Sequence, residues 1–361
     1  MAPSPPPTSW ALLHRAPSFH DGSVTVDVRS PPATTSVLLP HHHLDGSTAP
    51  HGSPYILAAD KGGAILLAFI KPGGAPPDLA VLTVDKGAAT LRTLPPRKPP
   101  VHPIARINAI GFLPTRSSSS SSSAHVEYIV AELQTVSDGE GARLISVSTQ
   151  GGDWTEKEFA LPASRAHRPW GRDGVLSHAG SLWWSDLSWG LIGCDPLAGA
   201  PIMAFVELPP GSALTFAEHP AVEGRRVVTI SESRVYYMEI NRVGDGASRM
   251  KLWALRASAQ GTGWEWKIAR RVSFAEIWEW GSYARTRLPA RLPTLMALSP
   301  TDASMMFIEL EGHLVALHLV SKKVLWLARH VPGEHLPWEI PRCLTSGNLC
   351  STLQSIKQLI K

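Results

Sequence analysis

The chain is poor in cysteine and has no long apolar run. Its three cysteines, Cys194, Cys343 and Cys350, are an odd number in 361 residues. This excludes a disulfide framework and suits a reducing compartment, so we expect a cytoplasmic or nuclear protein. The longest strongly apolar run, Ala64–Ile70, is far shorter than the roughly 20 residues that cross a bilayer. We therefore expect a buried strand there and no membrane association. The opening MAPSPPPTSW also lacks the pattern of a secretory signal.

Neither sign of charge dominates. Lys and Arg number 34 against 30 Asp and Glu, which gives a net charge of +4. A nucleic-acid binder usually gathers basic residues on one face or segment. The basic pairs of this chain are instead far apart in sequence, at residues 97–98, 225–226, 270–271 and 322–323. The sequence therefore disfavours nucleic acid as a partner, unless folding brings these pairs together.

Familiar catalytic signatures are also missing. The sequence contains no Gly-x-Ser-x-Gly, no phosphate-binding Gly-x-x-x-x-Gly-Lys-Ser/Thr and no dinucleotide-binding Gly-x-Gly-x-x-Gly between a strand and a helix. Cys194 follows a strand and precedes Asp195, whose charge would raise the thiol pKa, so we expect an inert, packed thiol. We assign no catalytic residue and no cofactor from the sequence.

Histidine and cysteine spacing gives no convincing metal site. Residues 41–43 are three histidines in a Pro/Gly-rich segment without a fixed scaffold. His313 and His318 are five apart on a predicted strand, and an odd separation places them on opposite faces. Cys343 and Cys350, with His335 as a third ligand, have a wider gap than zinc sites use. We expect no metal site at any of these positions.

Strand patterns recur along the chain. Five times, an apolar strand enters a polar turn and a second strand leaves it; in four of these a proline follows closely and marks where ladder pairing stops. The paired segments are 80–84 with 90–94, 144–148 with 154–161, 191–194 with 202–208, 251–255 with 264–268, and 313–319 with 324–327. Met305 to Leu310 and His313 to Leu319 also predict a tight hairpin, with Gly312 supplying the positive φ.

Repeated meanders of this kind predict an all-β chain with a β-propeller-like array of five or six blades, because each blade must cover its neighbour's apolar faces. The strand at residues 10–13 would help to close a ring. An irregular β-sandwich is the alternative fold. We expect a disordered tail at 1–9, a single domain at 10–335, a polyserine loop at 117–123, and a C-terminal extension at 336–361 with a short helix at 351–360.

One motif is specific enough to compare with a family. Residues 181–197, SLWWSDLSWGLIGCDPL, with their continuation at 201–209, resemble the signature of the domain-of-unknown-function-1618 (DUF1618) family, a plant family expanded in grasses. Residues 10–15, 128–134 and 154–158 resemble other parts of it. Ser185 departs from the valine that relatives often carry. The resemblance implies no established reaction, substrate or catalytic residue.

The physical interpretation of this motif is structural. Leu182, Trp183 and Trp184 would alternate across a strand, and Asp186 and Asp195 would bond their own turns rather than act as ligands or acids. The acidic and aromatic segment Glu276, Trp278, Glu279 and Trp280, with the Trp-rich strand before it, is either core or a partner-binding edge; we favour core.

Two functions remain open. We expect a non-enzymatic interaction scaffold for an unknown protein partner; the alternative is a hydrolase-like enzyme with its site in a central channel. Converging Asp, Glu or His side chains at the mouth of that channel would favour the enzyme.

Overall fold

The computed structural model describes residues 10–40, 52–85, 88–115, 126–135, 141–161, 170–171, 173–198, 202–215, 217–218, 222, 224–242, 248–258, 263–329 and 335–339. The chain divides into two compact units. Unit 1 comprises residues 1–96 and 333–361, and unit 2 comprises residues 97–332. The predicted helix at 351–360, the polyserine loop and the tail at 1–9 lie outside the described residues, and the predicted domain bounds remain a proposal.

Unit 1 contains two sheets. Its strands are β1 (Trp10–His14), β2 (Ser18–His20), β3 (Thr25–Asp27), β4 (Thr34–Pro40), β5 (Ser53–Ala59), β6 (Ala64–Ile70), β7 (Asp78–Asp85), β8 (Ala88–Thr93) and, from the far end of the chain, β25 (His335–Glu339). Strands β5 to β8 form an antiparallel four-stranded sheet in chain order, and β6 is the buried strand that the sequence predicts. The other sheet is five-stranded and mixed. In it β1 pairs antiparallel with β25 and parallel with β4.

Unit 2 repeats one pattern four times. Its strands are β9 (Ile110–Pro114), β10 (Tyr128–Thr135), β11 (Gly141–Ser148), β12 (Thr155–Ala160), β13 (Gly174–His178), β14 (Ser181–Asp186), β15 (Gly190–Cys194), β16 (Ala204–Glu207), β17 (Arg226–Ser231), β18 (Arg234–Arg242), β19 (Ser248–Ala257), β20 (Trp264–Ser273), β21 (Thr294–Ser299), β22 (Asp302–Leu310), β23 (His313–His318) and β24 (Lys323–Arg329). Each consecutive set of four makes one antiparallel sheet in chain order.

The predicted fold class is confirmed: the chain is all-β, and its five antiparallel four-stranded sheets are propeller blades. Within unit 2 the first strands of consecutive sheets lie beside one another, β9 with β13, β13 with β17 and β17 with β21. The first strands therefore converge, as the inner strands of propeller blades do. All five predicted hairpins are confirmed, and each is the pair of third and fourth strands of its sheet.

The core of unit 2 lies between consecutive sheets. Trp184 packs among apolar residues of the β9–β12 sheet, whereas Trp183 packs with residues of the β17–β20 sheet. Adjacent strand residues point to opposite faces, so this one dipeptide fills two interfaces, as the alternation in the sequence predicts. A third apolar cluster joins the β17–β20 and β21–β24 sheets. Each blade thus covers its neighbour's apolar face.

Glycine allows the closest approach of strands in the motif-bearing sheet. A Cβ on Gly190 would lie 2.4 Å from the carbonyl oxygen of Val206 on β16, and one on Gly193 would lie 2.7 Å from the ring of Trp183. In the β22–β23 turn, Glu311 and Gly312 both have positive φ, at 51° and 69°. This confirms the predicted tight hairpin.

The only helices among the described residues that exceed a single 3-10 turn follow β20. They are α1 (Phe274–Glu279) and α2 (Gly281–Ala284). No helical pattern in the sequence predicts these two helices. Among the described residues, no helix has the length and apolar character that a bilayer crossing requires.

Candidate functional site

Several residues singled out by the sequence lie outside the described part of the chain. These are the histidines at 41–43, Cys343 and Cys350. His313 and His318 lie on β23, where each is engaged locally. His313 Nδ1 is 2.9 Å from the carbonyl oxygen of Glu311, and His318 Nδ1 accepts the backbone N–H of Ser321 at 3.0 Å. Within the described ranges, no cluster of three or more His, Cys, Asp or Glu side chains is arranged to hold a metal ion.

Cys194 is a packed thiol at the end of β15. It is 2% exposed, and burial together with the charge of Asp195 raises its pKa to about 11. At neutral pH the thiol is therefore almost wholly protonated, and a protonated thiol is a poor nucleophile. The structure agrees with the interpretation of Cys194 as inert.

The two aspartates of the motif close turns, as the sequence predicts. Asp186 is the last residue of β14 and is fully buried; its Oδ1 accepts the backbone N–H and the hydroxyl of Ser188 at 2.8 and 2.5 Å. Its Oδ2 accepts the backbone N–H of Gly171 at 2.8 Å. Asp195 is exposed, and its Oδ1 accepts the backbone N–H of Leu197 at 2.9 Å. These bonds give both carboxylates a local structural role.

A pattern that the sequence analysis missed connects Asp186 to other acids. Each sheet of unit 2 carries an acidic residue in the second half of its second strand: Glu132, Asp186, Glu239 and Glu309. The first three are 0% exposed. Each of these three acids faces a donor close to the start of the first strand of its own sheet. The donors are Ala105 for Glu132, Gly171 for Asp186 and Arg226 for Glu239. The sequence signal for these buried acids is a single acidic residue within an apolar strand, as in AELQ at 131–134.

Glu132 is the best-satisfied of these acids. Its Oε2 accepts Arg97 Nη1 at 2.6 Å, and its Oε1 accepts the backbone N–H groups of Ala105 and Arg106 at 3.0 and 3.1 Å. The Arg97 side chain is 5% exposed, and its guanidinium lies 4.2 Å from the ring centroid of Trp154. Burial lowers the pKa of Arg97, and Glu132 opposes this shift. Among the described residues, Arg97 Nε and Nη2 find no hydrogen-bond partner.

Glu239 is the centre of a second buried polar cluster. It accepts the Tyr237 hydroxyl at 3.1 Å and Asn241 Nδ2 at 2.7 Å, with Arg226 Nη2 at 3.8 Å and Lys251 Nζ at 3.7 Å. Burial and the charge of Glu239 raise the pKa of Tyr237 well above its usual value. The carboxylate is thus enclosed by donors rather than presented to a substrate.

Folding does not gather all of the basic pairs on one face. Arg97 is buried against Glu132, and Arg226 donates to the carbonyl oxygens of Leu187 and Ser212 at 2.8 and 2.6 Å. In two of the four basic pairs, one arginine is therefore engaged in bonds within the protein. This weakens the nucleic-acid interpretation further.

The acidic and aromatic segment near residue 280 belongs mainly to the core. Trp280 is 7% exposed, and Trp278 packs against the same apolar cluster. Glu279 is exposed, and Glu276 forms an ion pair with Lys322, the residue before β24. On the preceding strand, Trp266 Nε1 donates to the carbonyl oxygen of Glu207 at 2.7 Å. The structure agrees with core packing for Trp280.

Two outer strands carry a pair of exposed apolar residues on one face: β20, with Trp264 and Ile268, and β24. Exposure alternates along β24, so that Lys323, Leu325, Leu327 and Arg329 face outward; we call these four residues the β24 face. Leu325 is 44% exposed and Leu327 is 36% exposed. In the described part of the chain, β24 pairs only with β23, so its other edge has no strand partner. The sequence predicts this strand, but it does not indicate that the strand lies at the edge of its sheet.

Residues 184–313 match the family model described as "Protein of unknown function (DUF1618)". The chain is therefore similar to DUF1618 proteins over this stretch. The match begins inside the motif at 181–197 and runs from β14 to the first residue of β23. It confirms the family resemblance over this stretch, while the resembling segments at 10–15, 128–134 and 154–158 lie outside the match.

The solved structures similar to this chain are remote. Apo AztD from Citrobacter koseri is 13% identical, with a TM-score of 0.37 over 88% of this chain and 72% of that chain. A Penicillium chrysogenum alpha-L-arabinanase complexed with arabinobiose is 12% identical, with a TM-score of 0.32 over 89% of this chain and 87% of that chain. Among curated proteins, none matches.

Proposed function

We propose that this chain is a non-enzymatic protein-interaction scaffold. The observation that carries the proposal is the β24 face, where two leucines stand exposed at a sheet edge that pairs with no other strand among the described residues. Exposed apolar groups flanked by polar residues are typical of binding sites, and an open strand edge offers backbone hydrogen bonds as well. The partner is a protein, and the low cysteine content supports a cytoplasmic or nuclear location.

The hydrolase alternative receives less support from unit 2. The converging first strands β9, β13, β17 and β21 carry no Asp or Glu among their residues. The buried acids lie on the second strands instead, where backbone and side-chain donors occupy them. A hydrolase needs an acid, base or nucleophile that can reach a substrate. The ionisable side chains of these first strands are Arg226, which bonds internally, and His178. His178 is half-buried, and burial lowers its pKa.

The proposal predicts a partner that depends on exposed apolar side chains. The tagged full-length chain would be used to capture proteins from the tissue that expresses it, with capture quantified by mass spectrometry. The test variant is Leu325→Asp with Leu327→Asp. The control is Val126→Asp with Ile202→Asp, which changes apolar residues that are 52% and 84% exposed and lie outside strands.

We expect a reproducible partner with wild type and control, and loss of about tenfold or more with the test variant, as for interface anchors. Circular dichroism of both variants checks that they fold. Recovery of no protein above an untagged sample would contradict the scaffold function. So would turnover of ester, amide or glycoside substrates by the purified chain.

A further inference from the structure

Edge strands in natural proteins are usually guarded against pairing with other chains. The fourth strands of three sheets of unit 2 show such protection: β12 carries Glu156, Lys157 and Glu158 in its middle, β16 is four residues long, and β20 carries Lys267, Arg270 and Arg271. Charges and short length both discourage edge-to-edge pairing. β24 has seven residues, no proline, and charges only at its two ends. It is therefore the least guarded of these four edges.

The inner face of β24 holds the strand in place. Val324, Trp326 and Ala328 alternate with the exposed residues and are half-buried. The ring of Trp326 stacks on Phe307 of β22, with centroids 5.8 Å apart and planes at 27°. A strand fixed from behind loses little conformational freedom when a partner pairs with it. The edge is thus preorganised for pairing.

One end of this edge is already closed. The backbone N–H of Val324 donates to the hydroxyl of Ser282 on α2 at 2.9 Å. A register shift of the β23–β24 pairing also falls between Val324 and Trp326. We therefore expect the backbone bonds of an added segment along Trp326 to Arg329. A short added segment fits this edge better than a long one.

The charges around the edge select the partner. Lys323 and Arg329 lie at the two ends of the β24 face, and neither β23 nor β24 contains an acidic residue. The neighbouring Lys322 is paired with Glu276. Acidic side chains at the ends of an added strand would therefore meet uncompensated positive charge, and basic ones would be repelled.

We propose that β24 binds, by strand addition, a short extended segment of a partner protein with alternating apolar residues and acidic residues at its ends. This docking mode rests on the scaffold function proposed above. Backbone bonds to the open edge supply affinity, and contacts with Leu325 and Leu327 supply selectivity. Lys323 and Arg329 set the charge preference.

A symmetric peptide probes this surface directly. Fluorescein-labelled Glu-Thr-Val-Thr-Val-Thr-Glu places two valines between two glutamates on one face, whichever way it runs along β24. Binding to the full-length chain is measured by fluorescence anisotropy. The comparison peptides have lysines in place of both glutamates, or methylated backbone amides that cannot donate hydrogen bonds.

We expect the acidic peptide to bind, and the lysine and methylated peptides to bind about tenfold more weakly. Leu325→Asp with Leu327→Asp should abolish binding, whereas Val126→Asp with Ile202→Asp should not. Lys323→Glu with Arg329→Glu should reverse the charge preference and bind the lysine peptide. Equal binding of acidic and basic peptides, or unchanged binding to the Leu325/Leu327 variant, would overturn the proposal.

Two outcomes separate this inference from the function on which it rests. If tissue proteins are captured equally by wild type and the Leu325/Leu327 variant, the scaffold function stands and the β24 site is wrong. If deletion of residues 340–361 raises peptide affinity markedly, that segment of the chain is the natural occupant of the edge, and the partner assignment is overturned. Unchanged affinity after the deletion supports an edge that is free for a partner.

Discussion

The buried pair of Glu132 and Arg97 predicts a large and specific loss of stability. Glu132→Ala removes the acceptor for Arg97 Nη1 at 2.6 Å, for Gln134 Nε2 at 3.1 Å, and for the backbone N–H groups of Ala105 and Arg106 at 3.0 and 3.1 Å. It also leaves a guanidinium that is 5% exposed without its hydrogen-bonded counter-charge. Breaking a buried ion pair from one side costs about 3–5 kcal/mol, and the orphaned backbone donors place Glu132→Ala at the upper end.

Arg97→Met should cost less. It removes a buried cation whose Nε and Nη2 have no hydrogen-bond partner in the described part of the chain, and it keeps an unbranched apolar stem beside Trp154. We expect a loss of about 1–3 kcal/mol, since Glu132 keeps three of its four donors. The double variant should cost less than the sum of the single ones by about 1–3 kcal/mol, because the unpaired charge disappears.

Urea unfolding, followed by far-UV circular dichroism and tryptophan fluorescence, measures these free energies. A matched control is Glu158→Ala, which removes a carboxylate that is 72% exposed and 3.0 Å from Arg143. An exposed pair of this kind contributes about 0–1 kcal/mol. A Glu132→Ala variant as stable as the Glu158→Ala variant, or strictly additive single and double variants, would refute the anchoring role of Glu132.

Three further outcomes follow from the motif-bearing sheet. Gly190→Ala should lower stability by about 1–3 kcal/mol, because its Cβ would lie 2.4 Å from a carbonyl oxygen of β16. Gly174→Ala should leave stability almost unchanged, because the nearest atom to its added Cβ would lie 3.7 Å away. Equal melting temperatures for the two variants would contradict the close packing at Gly190. In the folded chain Cys194 should resist alkylation by iodoacetamide at pH 8, and it should react once urea unfolds the chain. Mass spectrometry that resolves the modified residue would measure this difference. Rapid labelling of the native chain would be incompatible with a pKa of about 11 for Cys194. Asp186→Ala, which loses three hydrogen bonds, should lower the free energy of unfolding by about 2–4 kcal/mol. Asp195→Ala, which loses one exposed hydrogen bond in a turn, should lower it by less than about 1 kcal/mol. A larger loss for Asp195→Ala than for Asp186→Ala would exclude Asp186 as a turn anchor.

Local features were readable from the sequence. The hairpins at 80–84 with 90–94 and at 305–310 with 313–319 are strands joined by short polar turns, so adjacent residues determine the pairing. The opposed faces of Trp183 and Trp184 follow from the two-residue period of a strand. The turn roles of Asp186 and Asp195 likewise depend on bonds within two residues.

Features that depend on distant residues were not readable. The charge that neutralises Glu132 comes from Arg97, which is 35 residues away and belongs to a basic pair that looked like surface charge. Helix α1 has six residues and follows a strand directly, so no helical period had room to appear. β24 was recognised as a strand, but its status as an open edge depends on which strands pair in three dimensions. Pairing order is not a local property of the sequence.

Hydrogen exchange of the full-length chain, with and without its captured partner, tests the central proposal most directly. The account predicts slower exchange of the amides in Trp326–Arg329 when the partner is bound, because new interstrand bonds protect them. The outer strand β8 (Ala88–Thr93) serves as an internal reference and should not change. Protection that leaves Trp326–Arg329 unaffected and appears on other strands would contradict the assignment of β24 as the docking strand.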